Sequence, residues 1–240
     1  MEKRLSRYAR GLAKVGAAIV ALVAASTLWG LVDFWRTKTL YPSVSYPEPA
    51  FKPVVNWTET APKGWIRLSE LSRSTWLAVL TAEDGGFFRH NGIEIAQSLN
   101  KVRVDLQRGR FPKGVSTLHQ QIAKNLYFGA RAPITRKFQE AVVARRMDAE
   151  LSKRQILEIY LNIAEWGPGV VGIGQASRYY FGKSAAKLTV SEAAVLANLL
   201  PNPRRWGPAV RQGRLPRGLS RRIQRTLHRM RSAESLVLAR

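Results

Sequence analysis

Between Thr81 and Gly92 the chain reads TAEDGGFFRHNG, a dense set of groups able to hold and move protons. Glu83 and Asp84 stand side by side, two glycines follow, and Phe87, Phe88 and His90 come next. The run from Ser74 to Leu80 has apolar helical character and should end near Glu83, with Gly85 and Gly86 supplying the positive-φ residues that close a helix. A carboxylate there faces the negative end of the helix dipole, and Phe87 and Phe88 would strip water from it. Both effects raise a carboxyl pKa and make the group a better base. The same residues also suit a capped helix carrying ordinary surface acids.

Two later clusters bear on the choice. Residues 114–128 read GVSTLHQQIAKNLYF, in which Thr117 and Gln120 form a capping-box pattern and Leu118, Ile122 and Leu126 an apolar stripe. Thr117, Gln121 and Lys124 share a separate polar stripe with Asn125 at its edge, either a solvated face or a hydrogen-bonding face for sugar and phosphate. From Pro133 to Leu151 a second helix is expected, with Phe138, Ala141, Val142 and Ala149 toward a core. On it Arg136 and Glu140 lie at i, i+4 and Lys137 and Glu140 at i, i+3, the spacing of ordinary surface ion pairs.

Chemistry separates two ways of combining these clusters. A glycosidase expels an alcohol, so it usually needs a carboxylic acid as proton donor beside a second carboxylate. A transferase that expels pyrophosphate needs one base for the incoming hydroxyl and positive charge for the leaving group. Glu83 with Lys124, Arg136 and Lys137 fits the second description.

The surrounding elements must position them. The 240 residues carry 39 Lys+Arg against 16 Asp+Glu, a formal charge of +23. That balance implies an anionic partner: nucleic acid, an anionic membrane surface or a phosphorylated substrate. A hydrophobic content of 45% excludes a wholly disordered chain, and the absence of cysteine excludes disulfides and thiolate sites. Val15 to Val32 is uncharged and long enough for a helix across a hydrocarbon core of ~30 Å, with Trp29 and Trp35 at belt positions. Lys3, Arg4, Arg7, Arg10 and Lys14 precede it, which orients the N-terminus to the cytoplasm and the chain beyond residue 35 to the outside. Ala24-Ala25-Ser26 offers a signal-peptidase site, but the apolar run continues past it to Val32 and favours an anchor.

Pro42, Pro47, Pro49, Pro53 and Pro62 mark an extended, semi-rigid connector, and the helical pattern begins at about Leu68. Ser152 with Gln155 opens a helix whose Ile156, Leu157, Tyr160 and Leu161 read as core scaffold. The glycine-rich turn from Gly167 to Gly174 lacks the flanking strand of a dinucleotide loop. Thr189 with Glu192 opens another helix, with Val195, Leu196, Leu199 and Leu200 inward and Pro201 as its stop. From Pro201 the tail holds eleven arginines and one acid, Glu234, with a partial stripe of Leu219, Ile223, Leu227 and Met230. It suits an anionic lipid surface, nucleic acid or a merely solvated helix end.

In order, these segments resemble the peptidoglycan glycosyltransferases with a lysozyme-like fold, most closely the membrane-anchored monofunctional ones. Glu83-Asp84-x-x-Phe87-x-x-His90-x-Gly92 is similar to the family's first motif, and Gly114-x-Ser116-Thr117-x-x-Gln120-Gln121-x-x-Lys124-Asn125 to the second. Arg136-Lys137-x-x-Glu140 resembles the third, and Lys153-x-x-Ile156-Leu157-Glu158-x-Tyr160-Leu161-Asn162 the fourth. The resemblance continues from Gly172 through Tyr180-Phe181-Gly182 to Pro201 and covers about residues 65 to 205. His119 stands where the family commonly has a small hydroxyl residue, and Asp148 where a glutamate is frequent.

The resemblance implies a mainly α protein, with a lysozyme-like glycosyltransferase domain preceded by a single transmembrane helix. Its parts would be a cytoplasmic basic segment (1–14), an anchor (15–35), a Pro-rich extracytoplasmic linker (36–64), the catalytic domain (65–205) and an Arg-rich tail (206–240). It implies an inverting polymerisation of lipid II at a bacterial inner membrane, with Glu83 as base and Glu140 organising the donor side. Lys124, Arg136 and Lys137 would hold the pyrophosphate; Ser116, Thr117, Gln120, Gln121 and Asn125 would serve sugar and phosphate; and Asp84, Phe87 and His90 would support Glu83. His90 reads as structural, since no second histidine stands near it in sequence. No cofactor is obligatory, though Glu140 could take a divalent cation, Mg²⁺ or Mn²⁺. Expected partners are lipid II, the growing lipid-linked glycan chain, membrane lipids and separate transpeptidases or division proteins, with no nucleic acid. No transpeptidase sequence follows, so crosslinking is left to another protein. An apolar patch is expected between Gly86 and Phe111, where Phe111 and its neighbours would form a lid. The competing readings are a lytic glycan-cleaving enzyme and a membrane-tethered, non-catalytic binder of anionic polymers.

Overall fold

The computed structural model describes residues 2–47, 53–110, 115–128 and 133–238, and these are mainly helical. A long helix, α1 (Glu2–Thr37), leads into an antiparallel strand pair, β1 (Tyr41–Ser45) and β2 (Val54–Thr58). The helices α2 (Arg73–Glu83), α3 (Ile95–Gln107), α4 (Leu118–Ala123), α5 (Pro133–Glu150) and α6 (Lys153–Ile163) follow. A short antiparallel pair, β3 (Glu165–Gly167) and β4 (Val170–Val171), precedes α7 (Ile173–Phe181), α8 (Val190–Leu199), α9 (Pro203–Arg211) and α10 (Arg217–Leu238).

The helix starts obey the sequence. Thr117, Ser152 and Thr189 each accept from the backbone N–H three residues on, and Gln120, Gln155 and Glu192 return the bond to close three capping boxes. Leu118 and Ile122 are fully buried and Leu126 nearly so, as are Ile156, Leu157, Tyr160 and Leu161 of α6. Val195, Leu196 and Leu199 fill the core from α8, with Leu200 only partly covered. The core joins α2 to α8 and α10 on one flank and α4 to α5 and α6 on the other.

Four expectations need correction. Neither Gly85 nor Gly86 has a positive φ; α2 ends because Asp84 turns extended (φ −151°, ψ 70°), and the left-handed residue of this loop is Gly92 (φ 82°). A Cβ on Gly92 would collide with the Ala144 carbonyl oxygen, so the loop after α2 is pressed onto α5. The proline-rich connector contains the β1–β2 pair, whose Val44, Val55 and Trp57 pack against the core; Pro42 sits within β1 opposite Trp57 and Pro53 directly precedes β2, strands the alternation rule does not reveal. On α5, Phe138 (59% exposed) and Ala149 face solvent, and the inward face is Gln139, Glu140, Val143, Ala144 and Met147. Two polar residues on the buried stripe shifted its apparent phase. Finally, α10 lays Leu219, Ile223 and Met230 into the core against α2 and α8, so its apolar stripe serves the fold and is not open to lipid.

Ala13–Thr37 is the one span among the described residues long and apolar enough to cross a membrane. Its second half docks on the domain. Phe34 is fully buried, Ser26 Oγ accepts from Gln139 Nε2, Thr37 and Tyr127 hydroxyls lie 3.3 Å apart, and Lys38 pairs with Glu150 at 2.8 Å. Gly30 permits this approach, since a Cβ there would come within 2.5 Å of the Phe128 ring.

Candidate active site

Glu83, the last residue of α2, is half-buried and accepts a hydrogen bond from Gln121 Nε2 of α4 at 3.1 Å. Tyr160 of α6 donates to the other end of that amide, its hydroxyl 3.1 Å from Gln121 Oε1. With its carbonyl occupied, the Gln121 amide must present its NH₂ to the carboxylate. Desolvation raises the Glu83 pKa, with the neighbouring Asp84 charge adding to it; the Gln121 bond and the Arg222 charge pull the other way. Phe88 is not the desolvating wall suggested by sequence, for it is 58% exposed and edge-on to Trp76, while Phe87 turns toward His90 and His119.

Asp84 does a different job. Its carboxylate accepts from the first backbone N–H of α4, at Leu118 (2.9 Å), and from His90 Nε2 at 2.9 and 3.1 Å. Thr117 Oγ1 donates to the Gly92 carbonyl at 2.7 Å and Lys153 Nζ to that of His90 at 2.6 Å. The adjacent acids thus divide: Asp84 staples the loop to the start of α4, and this fixes how far Gln121, one turn along, stands from Glu83. Thr117 and Gln120 spend their side chains on this framework and on the capping box.

The second carboxylate, Glu140, is fully buried within α5 and saturated by cations. Arg136 Nε donates to its Oε1 at 3.0 Å and Lys137 Nζ to its Oε2 at 2.6 Å. Lys137 also donates to Ser116 Oγ at 2.8 Å, tying the third cluster to the second. Lys124 lies near enough to feel all three charges: desolvation, Arg136 and Lys137 lower its pKa and Glu140 opposes them. Buried Ala123 is the last residue of α4, and the helix then widens into a π turn (Lys124–Phe128). That widening changes the direction in which Lys124 and half-buried Asn125 project.

The two departures from the family pattern meet each other. His119 Nε2 lies 2.9 Å from Asp148 Oδ1, a carboxylate also held by Lys153 at 2.6 Å. A longer side chain at 119 reaches a shorter acid at 148. Burial, then the Lys153 charge, lower the His119 pKa to about 4, so the ring is neutral at physiological pH. The fold also supplies the second histidine that His90 lacks in sequence, with the two ring centroids 5.4 Å apart. Ligand-capable atoms of Asp84, His90 and His119 lie within 4.8 Å of one another, all buried.

A divalent cation at Glu140 does not fit the donors present. Both carboxylate oxygens already accept from cationic groups, and Lys124 adds a third positive charge nearby. Two further residues were hidden in sequence. Tyr160 looked like one more apolar residue of α6, although a buried tyrosine hydroxyl needs a partner. Arg222 sat in what looked like a tail, and nothing local marks it as a neighbour of Glu83.

A carboxylate of raised pKa, joined through α4 to a cationic cluster, has the parts that a group transfer with an anionic leaving group needs, and differs from the paired acids of a hydrolase. The Transglycosylase family matches residues 52–231. The biosynthetic peptidoglycan transglycosylase of Nitrobacter winogradskyi is 47% identical over 154 residues, which cover 62% of this chain and 68% of that protein. The protein of the same name from Cupriavidus metallidurans is 41% identical over 148 residues, covering 62% and 64%. That of Thiobacillus denitrificans is 37% identical over 209 residues, covering 86% and 90%. The chain belongs to the transglycosylase family.

Proposed function

We propose that the protein polymerises lipid II into β-1,4-linked glycan strands at the outer face of the cytoplasmic membrane. Glu83 takes the proton from the acceptor 4-hydroxyl, the freed oxygen attacks the anomeric carbon of the lipid-linked donor, and the bond to pyrophosphate breaks with inversion. Lys124, Arg136 and Lys137 neutralise the charge that grows on the departing pyrophosphate. Glu140 holds Arg136 and Lys137 in place, and Ser116 and Asn125 complete the polar floor. The observation that carries this reading is the Glu83–Gln121 hydrogen bond, which ties a carboxylate of raised pKa to the helix that ends at the cationic cluster. A lytic reading is weaker, because both oxygens of Glu140 are engaged by Arg136 and Lys137 and neither is left to meet a leaving group.

The anchor supports the same reading. The second half of the apolar helix docks on α5 through Ser26 and Gln139 and on the π turn through Thr37 and Tyr127, which would keep the clamp beside the anchor and so close to a lipid-borne substrate. Ile95, Leu99 and Leu106 of α3 are each at least 60% exposed and would meet the bilayer with Phe88; the rest of the expected lid, including Phe111, lies outside the described residues. An N-terminus in the cytoplasm and a domain outside it follow from the basic residues before the span. Separate transpeptidases would crosslink the product.

Incubating the full chain in detergent with fluorescent lipid II tests the proposal. Long strands from wild type and none from Glu83→Gln are expected; wild type that makes no polymer, or a variant that makes it at the same rate, would sink it.

A further inference from the structure

We propose that a groove between α9, α10 and the end of α2 seats the growing glycan strand, its sugar rings against Trp206 and the carboxylates of its stem peptides on Arg225 and Arg229. This rests on the polymerase reading above and extends it to residues outside all four motifs. The groove begins as a cavity of about 260 Å³ walled by Thr81, Ala82, Asn198 and Thr226 and by the arginines 222, 225 and 229. Thr81 and Ala82 immediately precede Glu83, so this end opens beside the proposed base. A second cavity of about 630 Å³ shares Arg222 and Arg225 and continues to Trp206 and Gly218.

The chemistry of the walls is specific. Because Leu219, Ile223 and Met230 bury one face of α10, its arginines are displayed from a fixed backbone. Arg222, Arg225 and Arg229 recur at i, i+3 and i+7, a row on the order of 10 Å long at helical rise. No carboxylate pairs with Arg225 or Arg229 among the described residues, although the fold offers acids to Arg136, Arg146 and Arg204. Planar guanidinium forks in a row suit successive carboxylates. At the far end Arg205 covers the Trp206 ring at 4.7 Å, and the indole lines the cavity as an apolar surface for a pyranose face.

Position favours the strand over a lipid phosphate. The apolar span packs on α5 and the π turn, whereas α10 packs on α2 and α8, on the other flank of the site. A polymer leaving Glu83 away from the membrane would run into this groove, and a lipid-linked pyrophosphate would stay on the α5 side.

Binding of lipid-free glycan strands to the full chain in detergent, with and without stem peptides, tests the seat without requiring turnover. Arg225→Ala/Arg229→Ala should weaken stem-bearing strands about tenfold and leave stem-free strands unchanged. Trp206→Ala should weaken both, with the melting temperature of each variant as the check on folding. Equal affinity of the double variant and wild type for stem-bearing strands would overturn the seat. Displacement of the strand by inorganic pyrophosphate, lost in the double variant, would reassign the arginines to phosphate and overturn it too. Wild type that binds strands but forms none from lipid II would refute the polymerase reading alone.

Discussion

Glu83 and Glu140 are the same side chain in opposite electrostatic settings. Glu83 ends a helix, touches one neutral amide and has its pKa raised by desolvation. Glu140 lies in mid-helix, more deeply buried, with each oxygen on a different cation. The company each keeps separates them: Glu83 meets a neutral amide, whereas both oxygens of Glu140 are occupied in holding Arg136 and Lys137. In the proposed reaction the two needs, a base and a leaving-group clamp, would thus fall on two helices joined through α4.

The largest effect should come from removing the base. Glu83→Gln is expected to lower polymerisation by about 10²–10⁴-fold, the range for one general base, in a lipid II turnover assay. The same change should raise thermal stability at neutral pH. With its pKa raised in the folded state, native Glu83 keeps a proton that the unfolded chain has already released. Wild-type stability therefore falls as pH rises through that interval and stays lower above it, whereas the glutamine variant has nothing to lose there. A variant that is both inactive and less stable would break the contrast with Glu140.

Next in size is the clamp. Lys137→Ala removes the bonds to both Ser116 and Glu140 and should cut kcat/KM about 10–100-fold, the equivalent of one charge-assisted hydrogen bond. The pH at which the rate rises should stay where it is, since that limb belongs to Glu83. A shifted limb with an unchanged plateau would mean that Lys137 acts on the base and not on the leaving group.

Much of this was legible in sequence, for local reasons. Capping boxes at Thr117, Ser152 and Thr189 announce themselves within four residues, and the stripe of Leu118, Ile122 and Leu126 has a plain helical period. What escaped were features set by distant packing. The buried face of α5 departs from the expected one because Gln139 and Glu140 occupy it, and polar residues on an inward face are invisible to hydrophobic periodicity. The left-handed residue after α2 is not one of the adjacent glycines, and only the approach of Ala144 shows that Gly92 is the one that cannot carry a side chain. Arg222 is brought to Glu83 by the docking of α10, which depends on Leu219 and Ile223 finding α2 and α8.

The pair His119 and Asp148 offers a smaller test, of stability instead of rate. His119→Ser should cost about 1–3 kcal/mol by urea denaturation, since it leaves Asp148 with Lys153 alone. Adding Asp148→Glu to that variant should recover part of the loss, with a coupling energy of about 0.5–3 kcal/mol in the double-mutant cycle. The native pKa of His119, about 4 against an ordinary 6.5, means that the unfolded chain takes up a proton first as pH falls. Wild type should lose stability between those values, and His119→Ser should lose less. Additive single effects would show that the two departures are unrelated.

The smallest effect sharpens the account of Glu83 itself. Tyr160→Phe deletes the hydroxyl that holds the Gln121 carbonyl, without touching the carboxylate. The amide is then free to turn over, and in that orientation it presents an oxygen to Glu83 in place of its NH₂. Losing the donor removes one of the two influences that lower the Glu83 pKa, leaving Arg222 against desolvation. The base then needs a higher pH to ionise, so the acid limb of kcat/KM should move upward while the rate at its plateau changes by less than about threefold. Gln121→Leu should move the limb in the same direction and further, because no orientation of leucine donates. If Tyr160→Phe lowered the plateau and left the limb in place, the hydroxyl would be acting on packing, and Glu83 would owe its pKa to burial and Arg222 alone.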